Sequence, residues 1–258
     1  MATGIEITKL TARYASSPTQ VAANAPDVLK NLSMRVGAGT IAMVVGPSGA
    51  GKSTLLNSIA GLQPIAGGYV AMCLGSKKGV MEHGRDTLLL PKDRRRIGIA
   101  FQQSNLWSHF TVRENLTHPQ IKLAGVSRAD ANRWADELLS ALVLEDQAHK
   151  GVGELSGGQR QRVSIARSLS LRPDILLFDE ITANQDPENV NRVFNLIRSY
   201  VQSTGCTALT VSHDMGFVRK IADTVHFLHG GIIRVEAPTA TFFDNPQDEI
   251  VSKFLQAF

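Results

Sequence analysis

Gly46-Pro47-Ser48-Gly49-Ala50-Gly51-Lys52-Ser53-Thr54 follows a spacing of Gly, four residues, Gly, Lys and Ser/Thr. That spacing suits a phosphate chain. Small residues let successive backbone N–H groups turn inward as a nest, and a following helix adds partial positive charge at its N-terminus. Lys52 then reaches the outer phosphates of a nucleoside triphosphate, and Ser53 offers a hydroxyl to Mg2+. A chance glycine-rich turn is the competing reading, which the strand-to-helix context disfavours. Far downstream, the apolar run ending at Phe178 is followed by Asp179 and Glu180. The two carboxylates have separate uses: Asp179 steers the shell of a divalent cation, and Glu180 orients and deprotonates an attacking water. Alone, such a strand end is common and can serve as a helix cap. Beside a phosphate loop it reads as catalytic.

These residues need a scaffold that brings them together. Thr40 to Val45 is an apolar run ending at Gly46, after which Leu55, Leu56 and Ile59 recur at helical spacing until Gly61, giving strand, glycine loop and helix. From Asp174 the chain alternates again: Ile175 to Phe178 as a strand, a helix through Val190, Val193, Phe194, Ile197 and Val201, then a strand at Thr207 to Val211. Such alternation implies a parallel sheet. Asp186-Pro187-Glu188 supplies a cap, a proline at the first helical position and an acidic first turn, while Gly205 suits the stop. Gly46, Asp179 and His213 would all fall beyond the carboxyl ends of strands, where open parallel sheets bind ligands. Ile5 to Tyr14, Val28 to Val36 and Tyr69 to Leu74 read as further strands, the first two forming an antiparallel lobe, with Ala15 to Asp27 a surface loop between them. Ser127 to Lys150 reads as helical, with Ser127 and Asp130 as a capping box and Trp134, Leu138 and Leu142 repeating every fourth residue.

Composition narrows the classes. The chain has 258 residues, 43% of them hydrophobic, a formal charge of +4 and a pI near 9.2. A chain this long buries roughly 70–75% of its unfolded surface, so staples are unnecessary. Cys73 and Cys206 alone make neither a disulfide framework nor a zinc site, and they point to a reducing compartment. No apolar run approaches the ~20 residues that span a bilayer, and the N-terminal residues lack a signal peptide's pattern. The densest basic run, Arg94-Arg95-Arg96, is expected to be solvated, and no nucleic-acid partner is expected.

Leu155-Ser156-Gly157-Gly158-Gln159-Arg160-Gln161-Arg162 opens another helix with a second anion-ready terminus. With the phosphate loop and the Asp-Glu strand end, this string makes the chain resemble, nearly end to end, the ATP-binding subunit of ABC transporters. The resemblance implies an α/β fold: a P-loop NTPase (RecA-like) parallel-sheet core with an antiparallel β lobe and an inserted α-helical subdomain. One domain would span 1–258, with core and lobe in 1–102 and 168–258 and the helical subdomain in 103–167. It implies that two copies bind two ATP with Mg2+. Ser156, Gly157, Gly158 and Gln159 would touch the partner copy's nucleotide, and Asp186 would communicate between the sites. By the same resemblance Gln102 touches Mg2+ or the attacking water and links nucleotide state to the membrane partner. His213 in Ser212-His213-Asp214 contacts the γ-phosphate, and Tyr14 stacks on adenine.

Two segments depart from the family. The usual Asp-Glu-Pro-Thr-Ser-Ala-Leu-Asp-Pro is here Asp179-Glu180-Ile181-Thr182-Ala183-Asn184-Gln185-Asp186-Pro187. Losing the proline frees a backbone angle and restores an N–H. Trp107-Ser108 stands where Phe-Pro is common, in the segment expected to face the membrane partner. Asp214-Met215-Gly216-Phe217, Ile221-Ala222-Asp223 and Phe242-Phe243-Asp244-Asn245-Pro246 resemble the polar amino acid importer branch. That likeness implies a peripheral subunit on the cytoplasmic face of the inner membrane, docked on permease subunits and served indirectly by a solute-binding protein. An exporter or lipoprotein-releasing ATPase shares every catalytic residue. A soluble ABC-type ATPase acting on DNA or ribosomes is the alternative of another class: members acting on DNA carry a long coiled coil between phosphate loop and signature, where no sustained heptads occur here, and those acting on ribosomes usually carry two such domains. A GTP switch would carry an Asn-Lys-x-Asp string, which is absent.

Overall fold

The computed structural model describes residues 3–13, 15–17, 20–21, 26–75, 77–82, 91–182 and 185–258. The chain begins with strands β1 (Thr3–Arg13), β2 (Ala15–Ser17), β3 (Gln20–Val21), β4 (Asp27–Gly37) and β5 (Ile41–Val45), followed by helix α1 (Lys52–Ile59). Next come β6 (Gly67–Leu74), β7 (Lys77–Glu82), α2 (Pro91–Arg94) and β8 (Ile97–Ala100). Helices α3 (Val112–Ala124), α4 (Arg128–Ala141) and α5 (Gly157–Ser170) form the middle. The last part is β9 (Ile175–Asp179), α6 (Pro187–Thr204), β10 (Thr207–Val211), α7 (Met215–Ile221), β11 (Thr224–His229), β12 (Ile232–Pro238), α8 (Thr239–Asp244) and α9 (Glu249–Leu255).

Two larger sheets organise these elements. One is antiparallel in the order β4-β1-β6-β7, and the other runs β12-β11-β5-β10-β9-β8. In the second, every pairing is parallel except β11 with β12. Its central strands are buried on both faces and largely apolar, as parallel sheets favour, with β10 also burying Thr207 and Thr210. Alternate side chains of β5 serve the two faces: Ile41, Met43 and Val45 pack with the helices on one side, and Ala42 and Val44 with α1 and the antiparallel sheet on the other. The expected parallel core and antiparallel lobe are both present. Among the described residues no helix is long and apolar enough to cross a membrane.

Two local expectations need correction. The segment read as a plain loop carries a small antiparallel pair, β2 with β3. Helix α4 stops at Ala141, and the rest of the 127–150 stretch is loop and short 3-10 turns. Its start is as expected: Ser127 Oγ accepts from Asp130 N at 3.1 Å. The basic triplet is exposed, as expected, and within that surface Arg96 forms an ion pair with Asp174 and Arg95 donates to the Leu123 carbonyl at the end of α3. A guanidinium satisfies such last-turn carbonyls well.

Candidate functional site

The order of the parallel strands places the chemistry. β5 lies between β11 and β10, and β10 lies beside β9, whose other neighbour is β8. Gly46 follows β5, Asp179 and Glu180 end β9, His213 follows β10 and Gln102 follows β8. Four adjacent strands therefore deliver these residues to one edge of the sheet. The registers Val211 with Asp179 and Ala100 with Phe178 keep the strand ends level.

Gly46 leaves β5 at φ 152°, and a Cβ there would lie 2.1 Å from the Leu228 carbonyl oxygen of β11. Only glycine fits so close an approach. Gly51, at φ 104°, precedes α1 and gives it no side-chain cap. The first N–H groups of α1 are thus left to the loop, the arrangement an anion at a helix N-terminus uses. Ala50 N donates to Pro47 O at 3.2 Å and closes the turn. Lys52 is buried, and its Nζ donates to the carbonyls of Gly46 and Pro47, each at 2.9 Å. Burial pushes its pKa down, while Glu180 and Asp179 oppose the shift.

Asp179 is the counterpart. Burial raises its carboxyl pKa, the hydrogen bond from the Ser53 hydroxyl opposes this, and Glu180 adds to the rise. A carboxyl raised in the fold holds its proton more tightly there than in the unfolded chain. Its contribution to stability is therefore present at low pH and is lost as pH rises through its folded value, the reverse of a salt-bridged aspartate. Asp179 Oδ1 is buried and has no hydrogen-bond partner among the described residues. A hydroxyl beside a half-buried carboxylate with an unused oxygen is a donor set suited to a hard divalent cation.

Glu180 sits just past the strand at φ 49°, a conformation uncommon outside glycine and asparagine. Its N–H donates to Val211 O at 3.0 Å, tying the bend to β10. Its Oε1 lies 3.0 Å from Nε2 of His213. The histidine loop is itself fixed: Ser212 Oγ accepts from Asp214 N at 3.0 Å, and Asp214 Oδ1 accepts from Phe217 N at 2.9 Å to cap α7. An imidazole bonded to a carboxylate at a strand end can help hold an anion while that carboxylate takes a proton.

Gln102 is exposed, two residues beyond β8. Gln161 on α5 donates to the Phe101 carbonyl at 2.8 Å, so the loop is anchored from the helical side. No local pattern around Gln161 foretells that anchor. Asn115, fully buried on α3, holds the Trp107 N–H at 3.0 Å through its side-chain oxygen. Trp107 then meets Phe110 and His118 edge-on, with the Arg167 guanidinium 5.1 Å from its ring centroid. The departure from Phe-Pro has thus become a packed aromatic cluster.

Ser156 caps α5: its Oγ accepts from Gln159 N at 3.2 Å and its N–H donates to Gln159 Oε1 at 2.9 Å. A Cβ built at Gly157 meets nothing within 4 Å, and at Gly158 only Arg162 Nη1 at 3.8 Å. Neither has positive φ. Nothing among the described residues demands glycine at either place. Ser156→Ala should lower the melting temperature by about 2–4 °C through the lost cap; an unchanged thermal melt would show that the cap contributes no stability. Asp186 is exposed and accepts from Asn189 N at 2.9 Å, capping α6. Ile181 is buried with the helix-side core. Tyr14, Ala183 and Asn184 lie outside the described residues.

A family model described as ABC transporter matches residues 29–183. A glutamate transport ATP-binding protein of Corynebacterium efficiens is 40% identical, covering 88% of this chain and 91% of that one. A glutamate/aspartate import ATP-binding protein of Escherichia coli K12 is 39% identical, with 88% and 92% covered. Among solved structures, a dimeric ATP-binding cassette in a post-hydrolysis state with ADP and Pi aligns with a TM-score of 0.79 at 30% identity, covering 91% of this chain and 98% of that one. With the family model matching more than half of the chain and the likeness extending over nearly the whole length of these relatives, the chain belongs to the ABC transporter ATP-binding family.

Proposed function

We propose that the chain is the ATP-hydrolysing subunit of an importer of a polar solute, an amino acid of the kind named for its relatives. The observation that carries the reading is the Ser53 hydroxyl bonded to half-buried Asp179, whose Oδ1 is buried without a partner among the described residues, beside the loop that holds Lys52. Gly46, Pro47, Ser48, Gly49, Ala50, Gly51, Lys52, Ser53 and Thr54 cradle the phosphates of ATP, and Tyr14 stacks on its base. Ser53 and Asp179, joined by Gln102, would hold Mg2+. The ion supplies charge neutralisation at the outer phosphates. Glu180 takes the proton of the attacking water, and His213, bonded to it, steadies the γ-phosphate. Burial depresses the Lys52 pKa, so an incoming triphosphate restores the favourable environment its ammonium lacks.

The open space at Gly157 and Gly158 supports a site shared between two copies, since it leaves room for a ligand presented from outside. In this reading Ser156, Gly157, Gly158, Gln159 and Asp186 of one copy complete the site of the other. Closure around ATP would turn docked permease helices, the nucleotide favouring one of two states by differential contact. The chain would act as one domain, with 103–167 as its helical subdomain, at the cytoplasmic face of the membrane. A solute-binding protein would deliver the cargo.

Purified chain should release phosphate from ATP only with a divalent cation. Membrane vesicles holding its permease and binding protein should take up an amino acid only with active chain. Cation-independent hydrolysis, or uptake indifferent to an inactive chain, would overturn the reading. Lys52→Ala should weaken ATP binding by about 10- to 100-fold, the worth of hydrogen bonds to a charged group. An unchanged dissociation constant in a nucleotide titration would dispose of the phosphate contact.

A further inference from the structure

Between Glu180 and the cap of α6, Ile181, Thr182 and Gln185 are described. Glu180 itself holds φ 49°, which nothing in its residue type favours. Ile181 is 1% exposed and packed in the helix-side core, so its side chain is fixed while its carbonyl needs a partner. Gln185 supplies one: its Nε2 donates to Ile181 O at 2.6 Å, and its backbone N–H donates to Thr182 O at 3.4 Å. The amide orientation is set by this bond, because the reverse would point two oxygens at each other. The other end of the amide, Oε1, is buried without a hydrogen-bond partner among the described residues. An acceptor left in that state means the Ile181 bond outweighs the satisfaction that another rotamer would bring.

We infer that Gln185 is a positioning residue for Glu180, its carboxamide nitrogen clamping the Ile181 carbonyl and so holding the bend that aims the carboxylate at His213. The clamp does what proline would do by other means. Proline restrains a turn covalently by fixing φ, whereas Gln185 closes it from the far side with a hydrogen bond. Thr182, 9% exposed, leaves little space inside for a different closure. Asp186, one residue on, is anchored as the cap of α6, so Gln185 sits next to a fixed point of the backbone.

The inference rests on Glu180 being the base proposed above. The test is steady-state ATP hydrolysis by the full chain carrying Gln185→Glu, which keeps the shape but turns an oxygen toward the carbonyl, and Gln185→Met, which keeps length without a donor. Glu180→Gln runs beside them, with thermal melts for all. Both variants should lower kcat about tenfold with the KM for ATP near wild type, at temperatures well below their melting transitions, and the loss should exceed what any fall in melting temperature explains. Such a split is not expected of a hydrogen bond that only stabilises the fold. A kcat within twofold of wild type in both would overturn the inference, as would a loss of activity that only tracks a lower melting temperature. If Glu180→Gln itself turns over normally, the underlying assignment fails instead, so the two failures are distinguishable.

Discussion

Replacing Glu180 by glutamine is expected to reduce ATP turnover by about 100- to 10,000-fold, the usual worth of a positioned general base. Nucleotide binding should persist. The substitution is nearly isosteric, so the bend at φ 49° and the bond from Glu180 N to Val211 O have no reason to change. The amide can still bond to His213 across the 3.0 Å separation. What it cannot do is accept the proton of an attacking water. Phosphate release measured beside a nucleotide-binding titration checks this: low release with intact affinity is the expected pair, and near-normal release would refute the assigned base.

Gly46→Ala should be the most damaging change in the phosphate loop. The added methyl would lie 2.1 Å from the Leu228 carbonyl, and that oxygen belongs to the backbone of β11, which is paired on both sides. It cannot swing away as a flexible side chain would. The φ of 152° adds strain for any residue with a Cβ. Together these should cost at least about 3 kcal/mol and lower the melting temperature by about 6–12 °C. Because Lys52 Nζ is held by the Gly46 carbonyl, ATP affinity should fall with it. A melt and a binding curve both matching wild type would show that the loop relaxes freely, contrary to the packing described.

Legibility in the sequence varied with the range of the forces involved. The strand before Gly46, helix α1, β9, α6 and β10 were readable because their apolar spacing and caps are local. Strand β8 was not: it is four residues, Ile97–Ala100, between a basic run and a polar loop. β11 and β12 were also passed over, since His226 and His229 break the apolar look of the run. A usable signal was there, because Gly230-Gly231 joins them with φ 61° and 87°, the two-residue turn that right-twisted hairpins favour. The Glu180–His213 bond connects residues on different strands, and no periodicity foretells it; the family resemblance alone brought the two into one role. Gln185 shows the limit most clearly. Its side chain reads as a polar loop residue until Ile181 is known to be buried and its carbonyl to be within reach.

The outer strands of the six-stranded sheet bear on how copies of this chain can associate. β12 alternates exposed and half-buried positions, carries Arg234 and Glu236 outward and ends in Pro238, while β8 at the opposite margin is too short to offer more than a few free backbone groups. Charge, proline and brevity all discourage a foreign strand from adding to that border. Growth of this sheet by strand addition is therefore disfavoured at both margins, which leaves other faces of the molecule for any association between copies.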